Sequence, residues 1–164
     1  NTLLIVVPRH PERFDRVFQL ASQIGLQVVR RSVSQDLGTD TQVWVGDSLG
    51  EMAAYVAASD LALMGGSLKP LGGQNPIEVC AQGRPVFMGP HMFNFHQIAR
   101  LLKEKGAGVG VGSYDAFVEQ ATQLAADEER FALAREQASA FVIEHRGATQ
   151  RTLQALLRLG SSRV

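Results

Sequence analysis

The residues best suited to chemistry lie in four short stretches: Pro8-Arg9-His10-Pro11, Gly46-Asp47-Ser48-Leu49-Gly50-Glu51, Gly65-Gly66-Ser67 running on through Gly72-Gly73-Gln74-Asn75-Pro76-Ile77-Glu78, and Gly89-Pro90-His91-Met92-Phe93-Asn94. Their types suit recognition of an anion with hydroxyl groups. The planar fork of Arg9 can pair with a phosphate or carboxylate. Glycines let backbone N–H groups approach a phosphate or sugar, and a helix N-terminus adds partial positive charge. The Glu78 carboxylate can accept hydrogen bonds from two adjacent ribose hydroxyls. No Gly-Lys-Ser/Thr follows the glycines, there is no Gly-x-Gly-x-x-Gly fingerprint, and no histidine spacing argues for a metal.

Each stretch also has a plainer reading that the residues alone leave open. The loop from Gly65 to Gly73 holds four glycines in nine residues and could simply be a tight strand-to-helix connection. Asn75 with Glu78, Ser48 with Glu51 and Asn94 with Gln97 each have the spacing of a capping box, in which the first residue caps a helix and the acid or amide reaches back. Arg9 could be a solvated loop residue, His10 a helix cap and Asp47 a turn residue. His96 and His145 read as surface or structural histidines, Cys80 as a small core residue, and Trp44 as part of a core rather than a base-stacking surface.

Loops of this kind need a scaffold, and the hydrophobic pattern supplies one. Leu3–Val7 is a continuous β-branched run ended by Pro8 and Pro11, as a buried parallel strand would be. From Pro11, Phe14, Val17, Phe18, Ala21 and Ile24 recur at helical spacing until Gly25. The same grammar predicts strands over Leu26–Val33, Gln42–Val45, Leu61–Met64, Pro85–Met88 and Gly108–Val111. It predicts helices over Leu49–Ala58, Asn75–Gln82, Asn94–Lys105 and Ser113–Ala126. Alternation of this sort implies an α/β fold: a Rossmann-like, doubly wound parallel sheet with helices on both faces, in one domain spanning 1–164. Two helices, Glu128–Glu144 and Ala148–Leu159, follow, with Gly160-Ser161-Ser162 as a frayed end. They are expected against the sheet edge or reaching toward a further domain. In such sheets ligands bind beyond the carboxyl ends of the strands, where all four stretches fall.

Composition narrows the partners. The 164 residues carry 16 Lys plus Arg against 16 Asp plus Glu, for a formal net charge of +0, which lacks the basic footprint of a nucleic-acid or membrane-surface binder. The single Cys80 excludes an intramolecular disulfide framework and a Cys-based zinc cluster, and suits a reducing, cytoplasmic compartment. No run reaches the roughly 18 apolar residues of a membrane span, and no signal-peptide pattern opens the chain. The start at Asn1-Thr2 without methionine is read as a piece of a longer protein.

Taken in order, the four stretches resemble the donor-binding half of 3-deoxy-D-manno-octulosonic acid (Kdo) transferases, over nearly the whole chain. The resemblance implies the C-terminal domain of a GT-B-type glycosyltransferase, which as a whole transfers Kdo from CMP-Kdo to a lipid A precursor in lipopolysaccharide biosynthesis at the cytoplasmic face of the inner membrane of Gram-negative bacteria. It implies an inverting reaction with no metal or cofactor. The general base, the acceptor site and the membrane contact would belong to an N-terminal domain absent here, so the piece alone should be inactive. Arg9 would contact the nucleotide or carboxylate end of the donor, Ser48, Leu49, Gly50, Glu51, Gly66 and Ser67 would line the CMP pocket, and Asn75 with Glu78 would hold phosphate and ribose. The phosphate would sit over the N-terminus of the Asn75–Gln82 helix. Other readings of the same architecture are the nucleotide-binding domain of a UDP-sugar epimerase or UDP-dependent glycosyltransferase, or a stand-alone nucleotide-sensing module.

Overall fold

A computed structural model describes residues 2–34 and 36–161. The strand–helix alternation is present throughout: β1 (Leu4–Val6), a 3-10 turn (Pro11–Arg13), α1 (Phe14–Gln23), β2 (Val28–Arg30), β3 (Val43–Val45), α2 (Met52–Ala58), β4 (Ala62–Leu63), α3 (Ile77–Cys80), β5 (Val86–Met88), a second 3-10 turn (Phe93–Phe95), α4 (His96–Glu104), β6 (Gly108–Gly110), α5 (Tyr114–Ala126), α6 (Glu128–His145) and α7 (Ala148–Ser161). The strands form two three-stranded parallel sheets, in the orders β1-β3-β2 and β4-β5-β6. The chain divides into two compact units, Asn1–Asp60 and Leu61–Val164.

In the first unit β3 is the middle strand, with Trp44 in register between Ile5 and Val29. Val43 and Val45 are buried, as the centre of a parallel sheet requires. Tyr55 and Val56 of α2 add to this core, and Tyr55 meets Trp44 edge to face, with ring centroids 5.4 Å apart. α1 packs against β2 and β3 and stops at Gly25, whose φ of 83° ends the helix as expected.

The second unit is built around β5, whose three residues Val86, Phe87 and Met88 are all buried. Phe87 meets Phe117 of α5 edge to face at 5.3 Å and clusters with Val111 and Leu124. α4 adds Ala99 and Leu102, α3 adds Val79 and Cys80, and α6, packed on α3 and α5, adds Ala138 and Phe141. Two of the caps are side chains: Ser113 accepts from the Ala116 N–H at 3.1 Å for α5, and Asp127 from the Arg130 N–H at 3.0 Å for α6.

Several expected boundaries move. The helix read over Asn75–Gln82 is one turn, Ile77–Cys80, because the next N–H groups fall back to i−3 carbonyls (Gln82 to Val79 at 3.1 Å, Gly83 to Cys80 at 2.9 Å) and Gly83 turns out at φ 63°. The helix read from Leu49 starts at Met52, after Gly50. The helix read from Asn94 opens as a 3-10 turn and becomes α-helical at His96. Gly160 and Ser161, expected as a frayed end, continue α7, while Ser162 lies outside the described residues. Among the described residues no helix is long and apolar enough to cross a membrane.

Candidate functional site

In the first unit the loops after β1 and β3 leave the same sheet edge, because these two strands are parallel neighbours. Arg9 is exposed in the first loop. The second loop is organised by two consecutive arginines at the end of β2. The Arg30 Nε donates to Asp47 Oδ2 at 2.7 Å and its Nη1 to Asp15 Oδ1 at 2.7 Å, while the guanidinium lies 5.6 Å from the centre of the Phe18 ring. The Asp47 side chain is only 2% exposed and also accepts the Ser32 N–H at 2.8 Å and the Ser32 hydroxyl. Burial alone would push this carboxyl up; the Ser32 and Arg30 hydrogen bonds outweigh it and hold Asp47 below the usual carboxylate range. Arg30 is raised, chiefly by its bond to Asp15 and then by Asp47.

Arg31 points to the other acid of this loop, its Nη2 donating to Glu51 Oε1 at 3.1 Å. Glu51 also accepts the Ser48 hydroxyl, which lies in close contact with the Tyr55 hydroxyl. The Ser48 bond, followed by the charge of Arg31, lowers the Glu51 carboxyl against a smaller opposing effect of burial. Ser48 and Glu51 therefore meet side chain to side chain instead of as a capping box, and α2 has no side-chain cap at its start. Leu49 and Gly50 form the exposed tip between them.

In the second unit the glycine-rich loop and the loop after β5 are joined by backbone bonds. The Gly73 N–H donates to Gly66 O at 3.3 Å, and Gly72 and Gly73 adopt φ of 89° and 73°. The Asn94 N–H donates to Gly72 O at 3.2 Å, which engages Asn94 away from the start of α4; that helix carries no side-chain cap and the Asn94/Gln97 box does not form. Ser67 is 0% exposed, and its hydroxyl donates to Met64 O at 2.6 Å while accepting the Gly89 N–H at 2.8 Å. Its side chain is thus turned inward and does not line a pocket wall. Asn75 stands one residue before the cap position, which Pro76 occupies; its Oδ1 accepts the Ile77 N–H at 3.1 Å in an Asx turn and its Nδ2 donates to Glu78 Oε1 at 3.2 Å, so this capping box does not form either and Glu78, held by the Asn75 side chain, stays exposed. Beside the loop after β5 lies a cavity of ≈ 180 Å³ floored by Met88, Met92 and Ala99 and rimmed by His96, Arg100 and Lys103. It is smaller than the roughly 300 Å³ at which ligand pockets begin.

The structure thus brings together Ser48 with Glu51, and Asn75 with Glu78, while Gly66 shares the loop that Ser67 anchors. Sequence reasoning missed Arg30, Arg31 and Ser32, whose partners lie 15 to 20 residues along the chain, and Tyr55, whose hydroxyl meets Ser48 seven residues away. The available signal was the Arg30-Arg31 pair ending an apolar run, since successive strand residues face opposite ways. Cys80, expected in the core, is 0% exposed, and burial pushes its thiol up to about 12. Among the described residues no group of three His, Cys, Asp or Glu side chains could hold a metal ion.

No family model matches the chain. A curated relative from Bordetella pertussis, "3-deoxy-D-manno-octulosonic acid transferase", is 44% identical over 155 residues, covering 94% of this chain and 36% of its own length. The chain therefore spans little more than a third of that relative. A crystal structure of the C-terminal CMP-Kdo binding domain of WaaA from Acinetobacter baumannii superposes with a TM-score of 0.82 at 35% identity, covering 87% of this chain and 74% of that one. The calicheamicin glycosyltransferase CalG4 matches with a TM-score of 0.52 at 17% identity over 100% of this chain and 45% of its own, a likeness of fold alone. The α/β, Rossmann-like class expected for a GT-B glycosyltransferase domain is the one observed.

Proposed function

We propose that this chain, which belongs to the Kdo transferase family, is the half of a glycosyltransferase that holds the nucleotide-sugar donor, CMP-Kdo. The observation that carries the reading is the 0.82 superposition at 35% identity on a domain described as binding CMP-Kdo. The whole protein would transfer Kdo from this donor to a lipid A precursor at the inner membrane, inverting the anomeric centre without a metal. Its general base would come from the domain that holds the acceptor. On this reading the 164-residue chain binds donor and transfers nothing.

The proposed contacts are Arg9, Ser48, Leu49, Gly50 and Glu51 in the first unit and Gly66, Asn75 and Glu78 in the second. Arg9 supplies local positive charge to an anionic donor from a chain that is neutral overall. The Glu78 carboxylate, held by an exposed 3.2 Å bond from Asn75, can exchange that bond for two ribose hydroxyls. The one-turn α3 contributes little dipole, so stabilisation of departing CMP falls to charged side chains and loop N–H groups. Several charge-assisted bonds of about 1.5–3 kcal/mol each, offset by the cost of association, place CMP affinity between micromolar and millimolar.

Thermal unfolding of the chain with CMP or UDP tests the reading. CMP at about 100 times its Kd should add roughly 2.7 kcal/mol of stability, with little response to UDP. Stabilisation by UDP alone would favour a UDP-sugar epimerase or transferase instead.

A further inference from the structure

We propose that Ser67 is a positioning residue, whose buried hydroxyl locks the glycine-rich loop and the loop after β5 into one body so that the donor contacts of the second unit are presented together. This rests on the reading of that unit as a donor-binding surface and adds to it a residue that does not touch the donor. The hydroxyl is saturated at both ends, donating to Met64 O at 2.6 Å at the end of β4 and accepting the Gly89 N–H at 2.8 Å at the end of β5. The Ser67 carbonyl makes the next link, accepting the His91 N–H at 2.9 Å. Further along, the Asn94 N–H reaches Gly72 O at 3.2 Å.

The lock depends on missing atoms as much as on bonds. A Cβ at Gly89 would run into the backbone of Ser67, and would sit 2.7 Å from Leu68 N. A Cβ at Gly72 would meet Asn94 and would lie 2.8 Å from the Phe93 ring, and one at Gly73 would meet the Met92 sulfur. The loops close on each other through glycine at 72, 73 and 89, with serine as the side-chain bolt. A buried hydroxyl with both capacities satisfied fixes geometry; replacing it by a methyl strands the Gly89 N–H without an acceptor. Gly66 and Asn75 flank the bolted segment, which couples their placement to Ser67.

The test compares Ser67→Ala with Leu124→Ala, a core truncation on α5 of the same unit that removes none of the lock's hydrogen bonds. CMP affinity, thermal midpoint and amide hydrogen exchange are measured on each. The expected result is a loss of CMP affinity of tenfold or more in S67A, with faster exchange of the Gly89, His91 and Asn94 amides, and affinity within twofold of the parent in L124A. Ser67→Cys, which keeps a weak donor and acceptor, should recover part of the affinity. S67A binding CMP within twofold of the parent, or L124A losing as much affinity as S67A, would overturn the proposal. Should S67A not fold, exchange in the parent chain decides: CMP at saturation is expected to slow the Gly89 and His91 amides, and unchanged rates overturn the lock. A parent chain that binds no CMP removes the donor-site reading itself and this inference with it.

Discussion

The two units share one grammar, a three-stranded parallel sheet wrapped by helices, yet they hold their carboxyl-end loops by different forces. The first uses charge: Asp15, Arg30, Asp47 and Ser32 form one connected set, and Arg31, Glu51, Ser48 and Tyr55 another. The second uses backbone bonds, one buried serine and close glycine contacts. The contrast tracks the cores. Among the described residues the buried hydrophobic side chains of the first unit are Val43, Val45, Tyr55 and Val56, whereas the second buries a longer series running from Met64 to Phe141. A unit with little apolar area to bury leans on paired polar groups, and a well-filled one can afford loops fixed by steric fit. The first should therefore respond to pH and salt, the second to any added atom.

The largest break of this contrast should come from Gly89→Ala. The new methyl would overlap the Ser67 backbone, which has no flexible end to move, and we expect a loss of about 3 kcal/mol in denaturant unfolding, at the upper end for overpacking. Next comes Asp47→Asn in the first unit. It removes the charge that Arg30 and Ser32 share, for about 2 kcal/mol, read from hydrogen exchange of the β3 amides; a loss below 0.5 kcal/mol, within the roughly 0–1 kcal/mol of surface pairs, would show that charge does not hold this unit.

pH sharpens the contrast with opposite signs. Asp47 and Glu51 are depressed in the folded chain, so their contribution is complete above the unfolded carboxylate values near ~4 and is lost as pH falls through the lower folded ones. Cys80 is raised to about 12, so the second unit loses stability as pH climbs from about 8.5 toward that value. Exchange rates followed by unit across the pH range should show the first opening at the acid end and the second at the alkaline end. A smaller effect, about tenfold or 1.4 kcal/mol in CMP affinity, is expected for Glu78→Gln with little change in unfolding; lowered stability with unchanged affinity would leave Glu78 as a partner of Asn75 alone. Lys105→Ala should be smallest. Its bond to Glu144 joins side chains 52% and 56% exposed, and about 0.5 kcal/mol or less should be lost.

Much of the scaffold was legible because long-range order here is written in short-range pattern: apolar runs ended by Pro or Gly, and helical spacing such as Phe14, Val17, Phe18 and Ala21. What failed was local cooperativity. Asn75–Gln82 has a good cap residue type and apolar positions, but Gly83 and the i−3 bonding close it after one turn. The three capping-box spacings illustrate the same limit. None of the three forms, because Asn75 makes an Asx turn one residue ahead of the cap position, Ser48 is drawn to Glu51 and Tyr55, and the Asn94 backbone is drawn to Gly72. The charged sets were illegible for a simpler reason, since Arg30 and Asp47 stand 17 residues apart and Arg31 and Glu51 stand 20 apart, and only the sheet register brings them together. The inward turn of Ser67 was likewise invisible, because a serine after two glycines looks the same in sequence whether it faces a ligand or the core.

The glycine closure of the second unit has an evolutionary corollary. Its shape is encoded by positions with no side chain, and exposed side chains close over two of them: Phe93, 62% exposed, lies against Gly72, and Leu71, 66% exposed, has its Cβ facing Gly66. Each of these two side chains meets a glycine on its inner side and solvent on its outer one, so substitution at 71 or 93 can change what the rim presents only within the shapes that Gly66 and Gly72 accept.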